Sequence, residues 1–196
     1  MAPSIEADQR IVDQIRAGNT RAFAVFVDRY KDRAFSLALG LIGERQEAEE
    51  LVQDAFVRAY KGLAGFRGDA AFGTWFYRIL HNLCLTKISR RGKREKMFVG
   101  LDETGQENFT GDQDEEGTLE QLENEELNAQ VTREVAGLPE KFKTPILLFY
   151  IQEMTYDEIA ATLDIPVGTV KTNLFRGRNM LRMRLEQRMG KEAKVA

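Results

Sequence analysis

Trp75, Arg78 and Asn82 recur at spacings of three and four, so on a helix they share one face. They offer an aromatic plane, a guanidinium fork and an amide. Lys87, Arg90, Arg91, Lys93, Arg94 and Lys96 follow, opposed only by Glu95, a net +5 over ten residues. Aromatic faces stack on unpaired bases and cations neutralise phosphates, so this chemistry suits a strand of nucleic acid. The plain alternative is a core helix with a solvated basic end. A second set lies near the C-terminus: Thr169, Thr172 and Arg176, flanked by Lys171, Asn173 and Phe175. Hydroxyl, amide, cationic and apolar groups of these kinds read major-groove edges and hold phosphates.

Other chemistries find little support. One histidine, His81, and one cysteine, Cys84, leave no cluster for zinc and no disulfide framework. Paired catalytic groups and a Walker-type glycine loop are missing too, so neither an enzyme nor a cofactor is expected. Cys84 sits between Leu83 and Leu85, as a packed thiol in a reducing compartment would. For His81 the choices are a pH sensor, a DNA contact or a half-buried bystander. No apolar run approaches the ~20 residues that span a bilayer, and the opening MAPSIEADQR lacks a secretory layout. A cytoplasmic protein is expected.

A net charge of −3 argues at first sight against a nucleic-acid partner. The distribution of that charge points the other way. Residues 97–132 hold eleven acids and no Lys or Arg, which leaves +8 on the remainder. Basic modules joined by an acidic tether have this charge pattern.

Helices must position both sets. Ile11, Val12 and Ile15 make a short stripe that Gly18 ends, and Asn19 is placed to cap a second helix running to Gly43. Residues 44–63 carry the most regular apolar pattern, from Ala48 through Phe56 to Leu63. The outer face of that helix holds Glu47, Glu50, Gln53 and Asp54, either a solvated patch or a dock for a basic partner. Asp69 is placed to cap a fourth helix whose stripe is Phe72, Phe76, Ile79, Leu80 and Leu83. Residues 97–120 lose periodicity and read as a flexible linker. Helical spacing resumes from Leu119 to Val135, then in a helix after Pro139, which Pro145 either kinks or shifts. Thr155 and Glu158 form a capping box for a two-turn helix, and Asp164-Ile165-Pro166 turns the chain into a basic one. Two short helices joined this way make a helix-turn-helix. The fold class is all-α: two small helical domains, a bundle and a helix-turn-helix, joined by the acidic tether.

Four stretches together resemble the extracytoplasmic-function sigma factors of bacterial RNA polymerase, closest to the envelope-stress members. They are EAEELVQDAFVRAY (47–60), FRGDAAFGTWFYRILHN (66–82), GLPEKFKTPILL (137–148) and MTYDEIAATLDIPVGTVKTNLFRGRNML (154–181). The resemblance covers 11–96 and 119–188. It implies a core-polymerase and −10 module at 5–96, a linker at 97–120 threading toward the polymerase's active centre, and a −35 module at 121–190. Glu47, Glu50, Gln53, Asp54 and Phe56 would then meet the clamp helices of the largest polymerase subunit. Phe66, Arg67, Phe72, Trp75, Arg78, Asn82, Arg90 and Arg91 would handle the −10 strand, with the loop 66–72 capturing a flipped base. Thr169, Lys171, Thr172, Phe175 and Arg176 would read the −35 duplex. An anti-sigma factor would complete the partners. Departures are Leu83-Cys84-Leu85 after Asn82 and Glu49-Glu50 as the acidic pair, and the first leaves base preference at −10 open. The resemblance shows no N-terminal inhibitory region here, so the isolated protein need not be autoinhibited. The loop and the Trp75 face are expected to be open to solvent.

The residues also admit two rival readings. One is an ordinary helix-turn-helix regulator that dimerises through 1–96; the other is an adaptor whose basic face binds an acidic protein.

Overall fold

The computed structural model describes residues 5–98, 131 and 133–192, and among these every regular element is helical. The linker at 97–120 and the resumed helix from Leu119 lie outside the described residues, apart from the backbone of 97–98, Val131 and 133–136.

Helix α1 spans Ile5–Arg16 and ends where Gly18 turns to φ +98°, a conformation that costs glycine nothing. Asn19 makes no side-chain cap. A 3-10 turn at Thr20–Ala22 intervenes, and α2 runs Phe23–Ile42. Gly43, at φ +79°, closes α2 by donating to the Leu39 carbonyl at 2.8 Å. Glu44 then caps α3, Arg45–Gly62: its carboxylate accepts the Glu47 N–H at 2.7 Å and the Gln46 N–H at 3.0 Å. Those two bonds hold the Glu44 carboxyl below the usual carboxylate range.

Helix α4 spans Phe72–Phe98. Asp69 does not cap it. The first turn closes through Trp75 N–H to the Ala71 carbonyl, too late for Asp69, which instead pairs with Arg67 at 3.0 Å. The module's core is a run of rings: Phe72 stacks on Phe26 at 3.7 Å between centroids, and Phe56 on Phe76 at 4.6 Å. Asp8 is only 1% exposed beneath it, held by Arg29 and by the Tyr30 hydroxyl, which donates at 3.0 Å. Burial outweighs those partners and raises its pKa. Cys84 is fully buried, its thiol pushed up to about 12 by desolvation.

His81 is buried at 8% exposure, not half-buried, and desolvation lowers its pKa to about 4. An unfolded chain binds that proton near pH ~6.5, so below this the unfolded state gains a proton that the fold refuses. Stability is expected to fall between pH ~6.5 and 4, by up to about 3 kcal/mol from this residue. Asp8, with its raised pKa, opposes the trend in the carboxylate range. Thermal melts at pH 7 and 5 of the wild type and His81→Gln check it: the wild type loses more on acidification than the variant.

In the C-terminal module, α5 spans Glu140–Tyr150. Pro139 precedes it as the cap residue, and the helix runs through Pro145 without a shifted start. In α6, Tyr156–Leu163, the Thr155–Glu158 capping box forms in both directions, at 3.3 and 2.8 Å. Asp164 ends α6 in the left-handed region, and α7, Val167–Glu192, follows. Gly177 is a packing necessity, since a Cβ there would lie 2.6 Å from Ile146 Cδ1. The two modules touch. α5 packs on α2, with Leu147 Cδ1 2.9 Å from where a Gly40 Cβ would sit, and α6 packs on α4.

Candidate nucleic-acid interface

A groove of about 630 Å³ runs between α3 and α4. Trp75, Asn82, Thr86 and Arg90 line its α4 wall; Arg58 and Gly62 lie across it on α3. The helical period delivers the α4 wall, because residues 75, 79, 82, 86 and 90 fall within one side of the cylinder. Gly62 keeps it open: a Cβ there would come within 3.3 Å of the Trp75 ring. Asn82, Thr86 and Arg90 are exposed, while Trp75 is half-buried on Phe66, whose centroid is 5.0 Å away. The groove therefore pairs an aromatic floor with amide, hydroxyl and cationic rims, as a stacked base and its phosphate require.

The sequence-predicted residues divide. Trp75, Asn82 and Arg90 meet in this groove. Arg78 is exposed but does not line the groove, and it pairs with Asp164 of the C-terminal module at 3.6 Å. Phe66 and Phe72 are 6% and 0% exposed. Their rings belong to the core, so of the loop expected to capture a flipped base Arg67, Gly68 and Asp69 are the accessible part. Arg16 pins the start of that loop from α1, donating to the carbonyls of Leu63 and Phe66. Arg91 is half-buried, 3.4 Å from Glu47 and within 3.5 Å of the Ile42 carbonyl, so its cation serves the fold.

On the outer face of α3, Glu50, Gln53 and Asp54 are exposed around a shallow depression shared with Leu51, Val57 and Lys87. Two residues expected there do other work. Glu47 is drawn back onto α4 by Lys87 at 3.0 Å and by Arg91, and Phe56 is 8% exposed on the Phe76 ring. Val57, 49% exposed beside the acids, was missed, as were Arg58 and Thr86. Thr86 was legible, four residues after Asn82 and eleven after Trp75. Arg58 was not, since only the pairing of α3 with α4 brings it to the groove.

On α7 the expected residues Thr169, Lys171, Thr172, Phe175 and Arg176 are all exposed, turned away from the buried Val170 and Leu174. Phe175 is 60% exposed, an apolar group of the kind that contacts a thymine methyl. The Thr172 hydroxyl donates to the Gly168 carbonyl at 2.9 Å, which leaves its oxygen free to accept.

Two family descriptions match the chain, sigma-70 region 2 over residues 26–94 and sigma-70 region 4 over 128–181. The chain is 37% identical over 178 residues to the ECF RNA polymerase sigma factor SigW of Bacillus subtilis, covering 89% of this chain and 94% of that protein. With the ECF RNA polymerase sigma-E factor of Escherichia coli K12 it shares 35% over 181 residues, 89% and 92% of the two chains. Its fold is similar to that of CnrH, solved in complex with the cytosolic domain of CnrY. The TM-score is 0.67 at 25% identity, over 92% of this chain and 98% of that one.

Proposed function

Because the chain belongs to the extracytoplasmic-function sigma factors, a branch of the sigma-70 family, we propose how its surfaces divide the work of promoter recognition. The protein is a promoter-specificity factor that binds core RNA polymerase, recognises −35 and −10 elements and promotes DNA melting. The reading by surface starts with the exposed row of α7, Thr169 to Arg176, which reads the −35 duplex in the major groove. Trp75, Asn82 and Arg90 hold the −10 strand in the α3–α4 groove. Opening the duplex there costs a few kcal/mol in unstacking, and stacking on an aromatic returns about 1–3 kcal/mol per base. Glu50, Gln53 and Asp54, with Val57, dock the clamp helices of the polymerase. The work is binding rather than catalysis, carried out in the cytoplasm beside the polymerase, with an anti-sigma factor as third partner.

The observation that carries this reading is that the polar and cationic row of α7 faces outward in full, opposite a buried Val170–Leu174 stripe. Runoff transcription with core polymerase on a genomic promoter library tests it. Start sites that appear only with this protein, sharing two elements, are expected; none appearing would refute it. Arg176→Ala is expected to cost ~1–3 kcal/mol of promoter affinity through the −35 element alone. On −35-scrambled templates wild type and variant should be equal, and a remaining difference there would place Arg176 elsewhere.

A further inference from the structure

Gln9, Asp13 and Arg16 fall on one side of α1, at spacings of four and three. Two of them meet the loop that joins α3 to α4. Arg16 Nη2 donates to the carbonyl of Phe66 and, at 3.3 Å, to that of Leu63. The Leu63 carbonyl also accepts the Phe66 N–H at 3.2 Å, so one guanidinium ties both ends of the turn that opens the loop. Gln9 supplies the second contact. Its Oε1 lies 2.8 Å from where a Gly68 Cβ would sit, against backbone that turns to φ +79°. Its Nε2 donates to Asp13 at 3.0 Å; a carboxylate only accepts, so the oxygen is the end that faces the loop.

Helix α1 is itself anchored in the core. Val12 is fully buried, and the buried Asp8 carboxylate is held by Arg29 and Tyr30 of α2. Tyr30 reaches the far end of the loop as well, since a Cβ on Gly73 of α4 would come within 3.0 Å of its ring. The loop has little stiffness of its own. Gly65 and Gly68 leave its backbone permissive, and the Arg67–Asp69 pair, 83% and 72% exposed, adds little. Its shape is therefore imposed from behind, by α1. The loop also adjoins the strand groove, because the Phe66 ring at its start lies 5.0 Å from Trp75. Groups that read a base must be held within about 0.5 Å of the productive geometry.

We propose that α1 is a positioning element for −10 recognition: Arg16, with Gln9 beside it, fixes the 63–68 turn so that the loop discriminates among bases turned out of the strand. This rests on the promoter reading above, with the loop as the place where such a base is read. Arg16 is a positioning residue, acting through the Leu63 and Phe66 carbonyls rather than on a base.

The test uses the full chain with core polymerase and fluorescent single strands carrying the −10 element of a start site from the runoff experiment. Each position of the element is in turn given the other three bases, and the ratio of affinities, original base over exchanged, is the readout. The position read by the loop is the one whose ratio collapses in Arg67→Ala with Asp69→Ala. Arg16→Met keeps the stem and removes the donors. It is expected to lower the ratio at that position about tenfold and to leave the other positions as in the wild type. Loss of one cation weakens every strand alike and cancels in the ratio. Arg16→Lys, which can still donate to both carbonyls, should recover most of the discrimination, and Gln9→Ala should show a smaller loss at the same position. Thermal melts accompany each variant. Ratios in Arg16→Met and Gln9→Ala equal to those of the wild type would overturn the positioning role. So would ratios that fall together at every position along with the melting temperature, the mark of a helix that only packs. If the wild type discriminates but the Arg67/Asp69 variant keeps every ratio, the loop reads no base: the promoter reading stands and the role of α1 falls. Should the wild type with core polymerase discriminate at no position, the promoter reading falls and the positioning role with it.

Discussion

Phe72→Ala is expected to destabilise the N-terminal module by about 3–5 kcal/mol, enough to unfold a marginal domain. The ring is fully buried and stacks on Phe26 at 3.7 Å, with Tyr30, Phe66, Trp75 and Phe76 around it. Truncation leaves a cavity among aromatic neighbours that cannot collapse into it. Phe72→Leu fills most of the space and should cost far less. Denaturant melts of the two variants, set beside promoter use, separate core from contact. If Phe72 packs, activity follows stability across both variants. If it touched a base, Phe72→Leu would lose activity while staying folded.

Charge reversal at Glu50 and Asp54 works in the opposite way: the fold survives and the partner is lost. Both carboxylates are exposed on α3, and Asp54 has only a weak tie to Arg58 at 3.4 Å, one turn on. Exposed pairs of this kind contribute little to folding. At an interface, like charges set against a basic partner cost several kcal/mol. Glu50→Lys with Asp54→Lys should therefore lower co-purification with core polymerase by roughly thirtyfold or more, with melting unchanged. Glu47→Lys makes a useful contrast. Its carboxylate pairs with Lys87 and Arg91, so reversal sets three cations together and should reduce stability first. Equal recovery of core polymerase by the Glu50/Asp54 variant and the wild type would remove α3 from the docking surface.

The helices were legible because their signals are local. Apolar spacing gave α2, α3 and α4, and the Thr155–Glu158 pair marked the start of α6 from two residues. The row on α7 was legible for the same reason, since Val170 and Leu174 define a buried side and leave Thr172 and Arg176 opposite. What stayed hidden was whatever depends on residues far apart. Phe66 and Phe72 flank a glycine loop, and in sequence a ring that floors a loop looks like a ring that stacks on a base. Glu47 and Glu50 share an acidic stripe, but only the approach of α4, some forty residues on, neutralises the first and spares the second. Asp69 is a good capping residue in the wrong register, because the chain turns at Ala71 instead. The seam between the modules joins Arg33 to Glu153 across 120 residues, and no local pattern foretells such a pair.

Cys84, alone of its kind and sealed in the N-terminal core, gives the molecule a built-in stopwatch. A thiol with no solvent exposure and a pKa of about 12 is inert toward alkylating reagents while the module is folded. It reacts when the module opens far enough to admit the reagent and let the thiolate form. The labelling rate, followed by mass spectrometry on the unaltered chain, therefore reports the opening free energy of this module specifically. The C-terminal module, which has no cysteine, contributes nothing to that signal.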